Sequence, residues 1–261
     1  MALFSLAPLG AEKSGAFIAG GFQYSNFSGA QRASNPVLYQ VLGQSSGLSG
    51  NLFGADIQFG YKQFFGKKKR FGLRYYGFFS GQGGPASFKQ ALEDEEGNST
   101  WATTKQQAAN LFYGVGIDAL FNFYEKKNKT FGVLAGVVVG GSSWLMGQGS
   151  INGQCAWSDD NGQCISMNNY FHARAKNFDN DGFKGNFSPT HVQVLVNLGF
   201  RANFSKHQGF ELGVRIPTMN DPYLTLTRTE DYAEFGVKKG DAISIRLRRN
   251  IAIYANYVIN F

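Results

Sequence analysis

The chain has 261 residues, with 25 Lys and Arg against 18 Asp and Glu, 34 Gly, 25 Phe, 12 Tyr and only 6 Pro. That length suits one large all-β domain, and no shift in composition marks a seam between two. No run approaches the roughly 18 apolar residues of a membrane helix. The net charge of +7 sits in short lysine clusters, not in a basic, aromatic-interleaved stripe for nucleic acid.

Residues 1–11 read as the end of a signal-peptide-like segment lacking its basic region, with cleavage expected after Ala11 and a single domain over 12–261. Eight stretches then alternate with period two, as strands with two unlike sides do: 15–26, 51–65, 71–80, 111–124, 130–143, 190–204, 209–217 and 245–261. In the second, Phe53, Ala55, Ile57, Phe59 and Tyr61 oppose Gly54, Asp56, Gln58, Gly60 and Lys62. In the sixth, Val192, Val194, Val196, Leu198 and Phe200 oppose Gln193, Asn197 and Arg201. The slightly negative mean hydropathy is what averaging two such faces produces.

The connections alternate in length. Residues 66–70, 125–129 and 205–208 are tight turns, whereas 27–50, 81–110, 144–189 and 218–244 are long. Short turns at one end, long loops at the other and an even strand number are the parity of an outer-membrane barrel. A soluble sandwich also alternates, but here the polar side is rich in Gly and mixed charge, and aromatics recur at strand ends. The expected fold is all-β: an eight-stranded antiparallel transmembrane β-barrel in the cell outer membrane, surrounded by its lipid, with short periplasmic turns and long extracellular loops. The last strand ends on an aromatic residue, and Ile253, Tyr257, Ile259 and Phe261 on its apolar face form the expected signal to the barrel-assembly machinery.

Eight strands enclose a bore just wide enough for side chains to fill, so inward charges must pair or hydrate. Asp56, Asp118 and Glu211 with Lys62, Arg74, Arg201, Arg215, Arg246 and Arg248 are expected to form an Arg–carboxylate network in the lumen; a narrow ion path is the alternative. In the longest loop, Cys155 and Cys164 are expected to form a disulfide, since their spacing suits no zinc site. Trp101, Trp157, Tyr170 and Phe171 are candidate loop contacts to a host surface ligand, against the plainer reading that they pack the loops together. His172, His191 and His207 are scattered and no Ser/His/Asp arrangement can be assembled, so neither an enzyme nor a cofactor is expected. The glycines of Gly114-Val-Gly116 and Gly81-Gln-Gly83-Gly84 precede no helix start and suit no nucleotide. The expected function is surface exposure of loops for adhesion or host interaction, with a small porin-like channel for ions or small solutes as the alternative.

Several segments, taken in order, resemble the Helicobacter outer-membrane protein superfamily (Hop and its Hor and Hom relatives). They are Leu111-Phe-Tyr-Gly-Val-Gly-Ile-Asp-Ala-Leu-Phe-Asn-Phe123, Phe131-Gly-Val-Leu-Ala-Gly136 running to Gly141-Ser-Ser-Trp144, Gln193-Val-Leu-Val-Asn-Leu-Gly-Phe-Arg-Ala-Asn203, Glu211-Leu-Gly-Val-Arg-Ile-Pro-Thr218 and the ending from Arg248-Arg249 to Phe261. The resemblance implies a surface-exposed barrel; larger members carry adhesive ectodomains and some smaller ones are described as porins. About two dozen residues separate the first two strands here, so the long insertion of the large adhesins is missing and no binding residue carries over.

Overall fold

The structure, a computed structural model, describes residues 12–42, 45–66, 69–93, 99–126 and 129–261. The signal-peptide-like segment 1–11 lies outside them. Eleven strands follow in chain order: β1 (Gly15–Ala33), β2 (Ser45–Phe65), β3 (Phe71–Glu93), β4 (Ser99–Lys126), β5 (Lys129–Ile151), β6 (Gln154–Cys155), β7 (Phe183–Phe187), β8 (Thr190–Asn203), β9 (Gln208–Pro217), β10 (Asp221–Arg228) and β11 (Ala242–Asn260). A short helix, α1 (Tyr39–Leu42), follows the turn Pro36–Leu38, and α2 (Met167–Asn177) lies in the longest loop. No helix among the described residues is long and apolar enough to cross a membrane.

The ladder runs β1-β2-β3-β4-β5-β8-β9-β11, all antiparallel, and β11 returns to β1 from Phe17↔Asn260 to Ala33↔Ile243. These eight strands make a closed circuit, which leaves no sheet edge exposed along it. Eight strands are expected, but the sheet has eleven among the described residues: β6 hangs from β5, while β10 and β7 continue from the first part of β11.

Around the circuit the apolar face is the exposed one. Phe59, Val115 and Phe200 are 61%, 68% and 67% exposed, while Arg74 and Asp118 on the inner face are 0% exposed. A belt of aromatic and β-branched residues outside with charges inside reverses the order of a water-soluble protein and calls for apolar surroundings.

Toward the long-loop end the polarity inverts along the same strands. The inward positions become Leu48, Leu52, Ala86, Phe88, Ala108, Trp144 and Met146, all buried, and Ser49, Lys89, Thr103, Lys105 and Gln107 turn outward to solvent. This zone has the pattern of a soluble protein, and it lengthens β3 to 23 residues and β4 to 28, where about 9–11 suffice to cross a bilayer. The expected strands at 71–80 and 111–124 stop where the inversion begins, because Gly81-Gln-Gly83-Gly84-Pro85 has the composition of a loop.

A bulge in β11 corrects two lumen assignments. Ser25 pairs with Ala252 and Phe27 with Arg249, so Asn250 and Ile251 face the single residue Asn26. One extra residue moves every later side chain to the other face. Tyr254, Asn256 and Val258 point inward on one side of the bulge, and Ile245, Leu247 and Arg249 on the other. Arg246 therefore lies exposed on the outer face, its Nε donating to Ser244 Oγ at 3.2 Å, and Arg248 reaches Pro217 O at 3.3 Å; neither joins the lumen network. Arg249 takes the inward position, donating to Gln82 Oε1 at 3.2 Å.

Candidate functional site

The bore holds three layers of paired charge. In the middle one, Arg74 on β3 donates through Nε and Nη2 to Asp118 Oδ2 on β4, at 3.0 and 2.6 Å. Its Nη1 donates to both carboxylate oxygens of Glu211 on β9, each at 2.8 Å. β3 and β9 stand opposite each other in the circuit, so this guanidinium bridges the full bore. Asn197 Nδ2 and Tyr76 Oη complete Asp118's acceptors at 3.1 and 3.2 Å. The glycines around this layer make room: a Cβ at Gly116 would meet the Tyr76 ring at 2.5 Å.

Nearer the loop end, Arg215 Nη1 donates to Asp56 Oδ2 at 2.7 Å and Gln23 Oε1 at 2.6 Å, and Asn256 Nδ2 donates to Asp56 Oδ1 at 2.8 Å. The Arg215 guanidinium lies 3.8 Å from the Tyr254 ring centre and 4.5 Å from that of Phe78, a cation–π contact with two rings at once. At the turn end, Glu12 accepts from Arg201 and lies 3.5 Å from Lys62 Nζ, which also donates to Asn260 Oδ1 at 2.7 Å. Seven of the nine expected lumen charges thus meet in the bore. Glu12 is the member that strand periodicity missed, because it precedes β1. A charge count could have found it, since the four cations among those seven, Lys62, Arg74, Arg201 and Arg215, outnumber Asp56, Asp118 and Glu211, and the inward Arg249 widens the gap.

The mouth at the long-loop end is closed by an apolar core. Trp144 is fully buried, 5.0 Å from the Phe27 ring, and its Nε1 donates to Asp221 Oδ2 at 2.7 Å. Burial pushes the Asp221 carboxyl above its usual range, against the pull of that hydrogen bond. Across the mouth lie Tyr223, Leu224 and Leu226 of β10, all at 0% exposure. Over them folds α2, whose start is capped by Ser166 Oγ accepting from Asn169 N at 3.1 Å. It buries Met167, Phe171 and Ala175, one residue per turn on a single face. Asn168 ties the pieces together, accepting from Tyr223 Oη at 2.6 Å and donating to Trp144 O at 3.0 Å.

Cys155 and Cys164 form a disulfide, with Cα atoms 5.7 Å apart. The hairpin it closes carries Trp157, which is buried against Phe171 and Tyr170 at 5.5 and 5.1 Å and donates from Nε1 to Gln106 Oε1 at 3.0 Å. The expected loop contacts therefore divide. Trp157 and Phe171 belong to the core and are withdrawn from any ligand, Tyr170 is half-buried beside them, and Trp101 remains exposed on β4. His191 and His207 are engaged with the backbone oxygens of Ser188 and Asn260, and His172 lies beside Phe187. Among the described residues no group of three His, Cys, Asp or Glu could hold a metal ion.

Among solved structures the chain is similar to the outer membrane protein OprG from Pseudomonas aeruginosa, at 13% identity over 96% of this chain and 98% of that one, with a TM-score of 0.42. It is also similar to the outer membrane protease OmpT from Escherichia coli, at 8% identity over 95% and 96% of the two chains, with a TM-score of 0.40. Likenesses this distant carry no argument about activity. No curated protein sequence matches the chain. The family described as Helicobacter outer membrane protein matches residues 56–261, from β2 through the final residue. The chain belongs to the Helicobacter outer membrane protein family and is located in the outer membrane.

Proposed function

We propose that the protein is an eight-stranded transmembrane barrel with a closed bore, whose folded long-loop end stands above the outer leaflet as a surface for adhesion or host contact. The polarity inversion supports this orientation: the apolar belt faces lipid, the inverted zone faces water, and the short turns lie in the periplasm. The observation that carries the closed bore is the Arg74–Glu211 bridge across it, lying beneath the Trp144 and Tyr223 core, which offers a passing ion no replacement for its hydration. Binding rather than catalysis is the role assigned, and Trp101 is the remaining exposed member of the aromatic set. Purified protein in planar bilayers is expected to give no stable conductance steps, and cells lacking it to attach less well to epithelial surfaces. Stable steps would overturn the closed-bore reading.

One observation favours the channel reading. Gln58 Nε2 and Oε1, Ser80 Oγ and Arg215 Nε and Nη2 are buried in the bore without hydrogen-bond partners, and a file of water would satisfy them. The same conductance measurement decides between the two.

The end of β11 supports a contact with the assembly machinery. Ile253, Tyr257, Ile259 and Phe261 all lie exposed on the belt face, and Phe261 N donates to Ala16 O at 3.0 Å, beside the seam where the circuit closes. Deleting Phe261 is expected to lower the surface level severalfold while the assembled fraction keeps its resistance to external protease. Wild-type surface levels would count against the assignment.

A further inference from the structure

At the outermost tip, the turn Pro36–Leu38 and α1 approach β7, the end of β10 and the connection 229–241, leaving a cavity of about 270 Å³. Its floor is apolar and buried, formed by Leu38, Phe183 and Val237. Its rim carries Tyr232 and Phe235, stacked at 4.9 Å between ring centres and 47% and 45% exposed. Among the described residues one cation lines it. The Arg228 guanidinium lies 4.7 Å from the Phe183 ring centre and 5.4 Å from that of Tyr232, with Nη1 donating to Asp181 O at 3.2 Å.

Arg228 differs from the bore arginines Arg74, Arg201 and Arg215, each of which faces a carboxylate, and from Arg249, which has no ion pair but is enclosed in the bore and donates to Gln82. It forms no ion pair among the described residues, and its Nε is buried without a hydrogen-bond partner. The neighbouring acids do not supply one: Asp231 and Asp241 accept from the backbone N–H groups of Lys239 and Lys238, at 2.7 and 2.9 Å, and Glu230 and Glu234 are exposed. The wall is also held in place. Gly236, at φ 64°, closes the turn after Phe235, and its carbonyl accepts from Asn35 Nδ2 at 3.0 Å.

We propose that this cavity is a binding site for an aromatic carboxylate, the ring lying against the Tyr232 and Phe235 rim over the apolar floor and the anion meeting the Arg228 guanidinium. A stacked, preorganised fork with an unfilled donor is suited to a planar carboxylate. The volume lies just under the roughly 300–1,000 Å³ of ordinary small-molecule pockets, which limits the ligand to about one ring with its acid. The same chemistry occurs in a free aryl acid and in the carboxy-terminal aromatic residue of a peptide. The inference rests on the reading that this end faces the outside, but the binding itself can be measured independently of it.

The test uses the full chain in lipid nanodiscs and saturation-transfer NMR with 3-phenylpropionate, N-acetylphenylalanine and N-acetylphenylalanine amide. Saturable binding of both acids is expected, at least tenfold weaker for the amide and for Arg228→Gln, and lost in Val41→Trp, which fills the cavity from its rim. N-acetylphenylalanine binding tenfold tighter than 3-phenylpropionate would identify a peptide terminus as the source; equal affinities would identify the free acid. Unchanged binding in both variants, or no saturable binding to wild type, overturns the proposal. Protection of the 229–241 connection from protease on intact cells would instead overturn the outward orientation and leave the binding result standing.

Discussion

Replacing Arg74 with alanine is expected to lower barrel stability by about 3–5 kcal/mol, the usual penalty for breaking a buried ion pair from one side. Arg74 and Asp118 are fully buried and Glu211 nearly so. Without the guanidinium, the carboxylates on β4 and β9 lose their principal donor inside a bore too narrow to hydrate them freely. Arg74→Lys is expected to fall between, because one ammonium cannot span Asp118 and Glu211 as the fork does. Joint replacement, Arg74→Met with Asp118→Asn and Glu211→Gln, is expected to recover most of the loss, since it removes the orphaned charges along with the bridge. Urea unfolding in lipid vesicles, followed by tryptophan emission and by heat-modifiable gel mobility, measures all three. An alanine variant as stable as wild type would mean that water enters the bore readily and that the closed-bore reading is mistaken.

Trp144→Ala is expected to cost a similar amount, about 3–5 kcal/mol for a large aromatic removed from a packed core, but at a different place. The side chain is fully buried between Phe27 and the loop elements and holds Asp221, so its loss leaves a cavity and an under-satisfied carboxyl at the mouth. The three charge layers beneath it do not touch Trp144. The long loops should therefore become sensitive to protease at concentrations that spare wild type, while the barrel keeps its heat-modifiable mobility. Loss of both together would show that mouth and barrel unfold as one unit.

The belt strands were legible because lipid and lumen impose opposite demands on alternate residues. Phe53 to Tyr61 and Val192 to Phe200 keep one phase without interruption, and the seven true lumen charges fall on the opposite phase. The outer extensions were not legible, because water outside and an apolar core inside reverse the code in mid-strand, and Gly83, Gly84 and Pro85 disguise β3 as a loop. The Arg246 and Arg248 assignments failed for a local reason: one extra residue at the β11 bulge exchanges the faces, and nothing in the composition of Asn250 and Ile251 announces it. Trp157 and Phe171 looked like loop aromatics because the residues that bury them, Phe88, Gln106 and Tyr223, lie far away in sequence.

By itself the sequence determined the all-β class, the order of the belt strands, which of their faces is apolar, and the family. These depend on periodicity and connection length, which are local properties of a chain. Only the tertiary structure decided that Arg74 spans to Glu211, that Glu12 supplies the fourth carboxylate, that the mouth is filled by Trp144, Tyr223 and α2, and that Arg228 is left without an acid. Each of these depends on ladder register and on distances across a closed bore, which bring together residues as much as 137 or 189 positions apart.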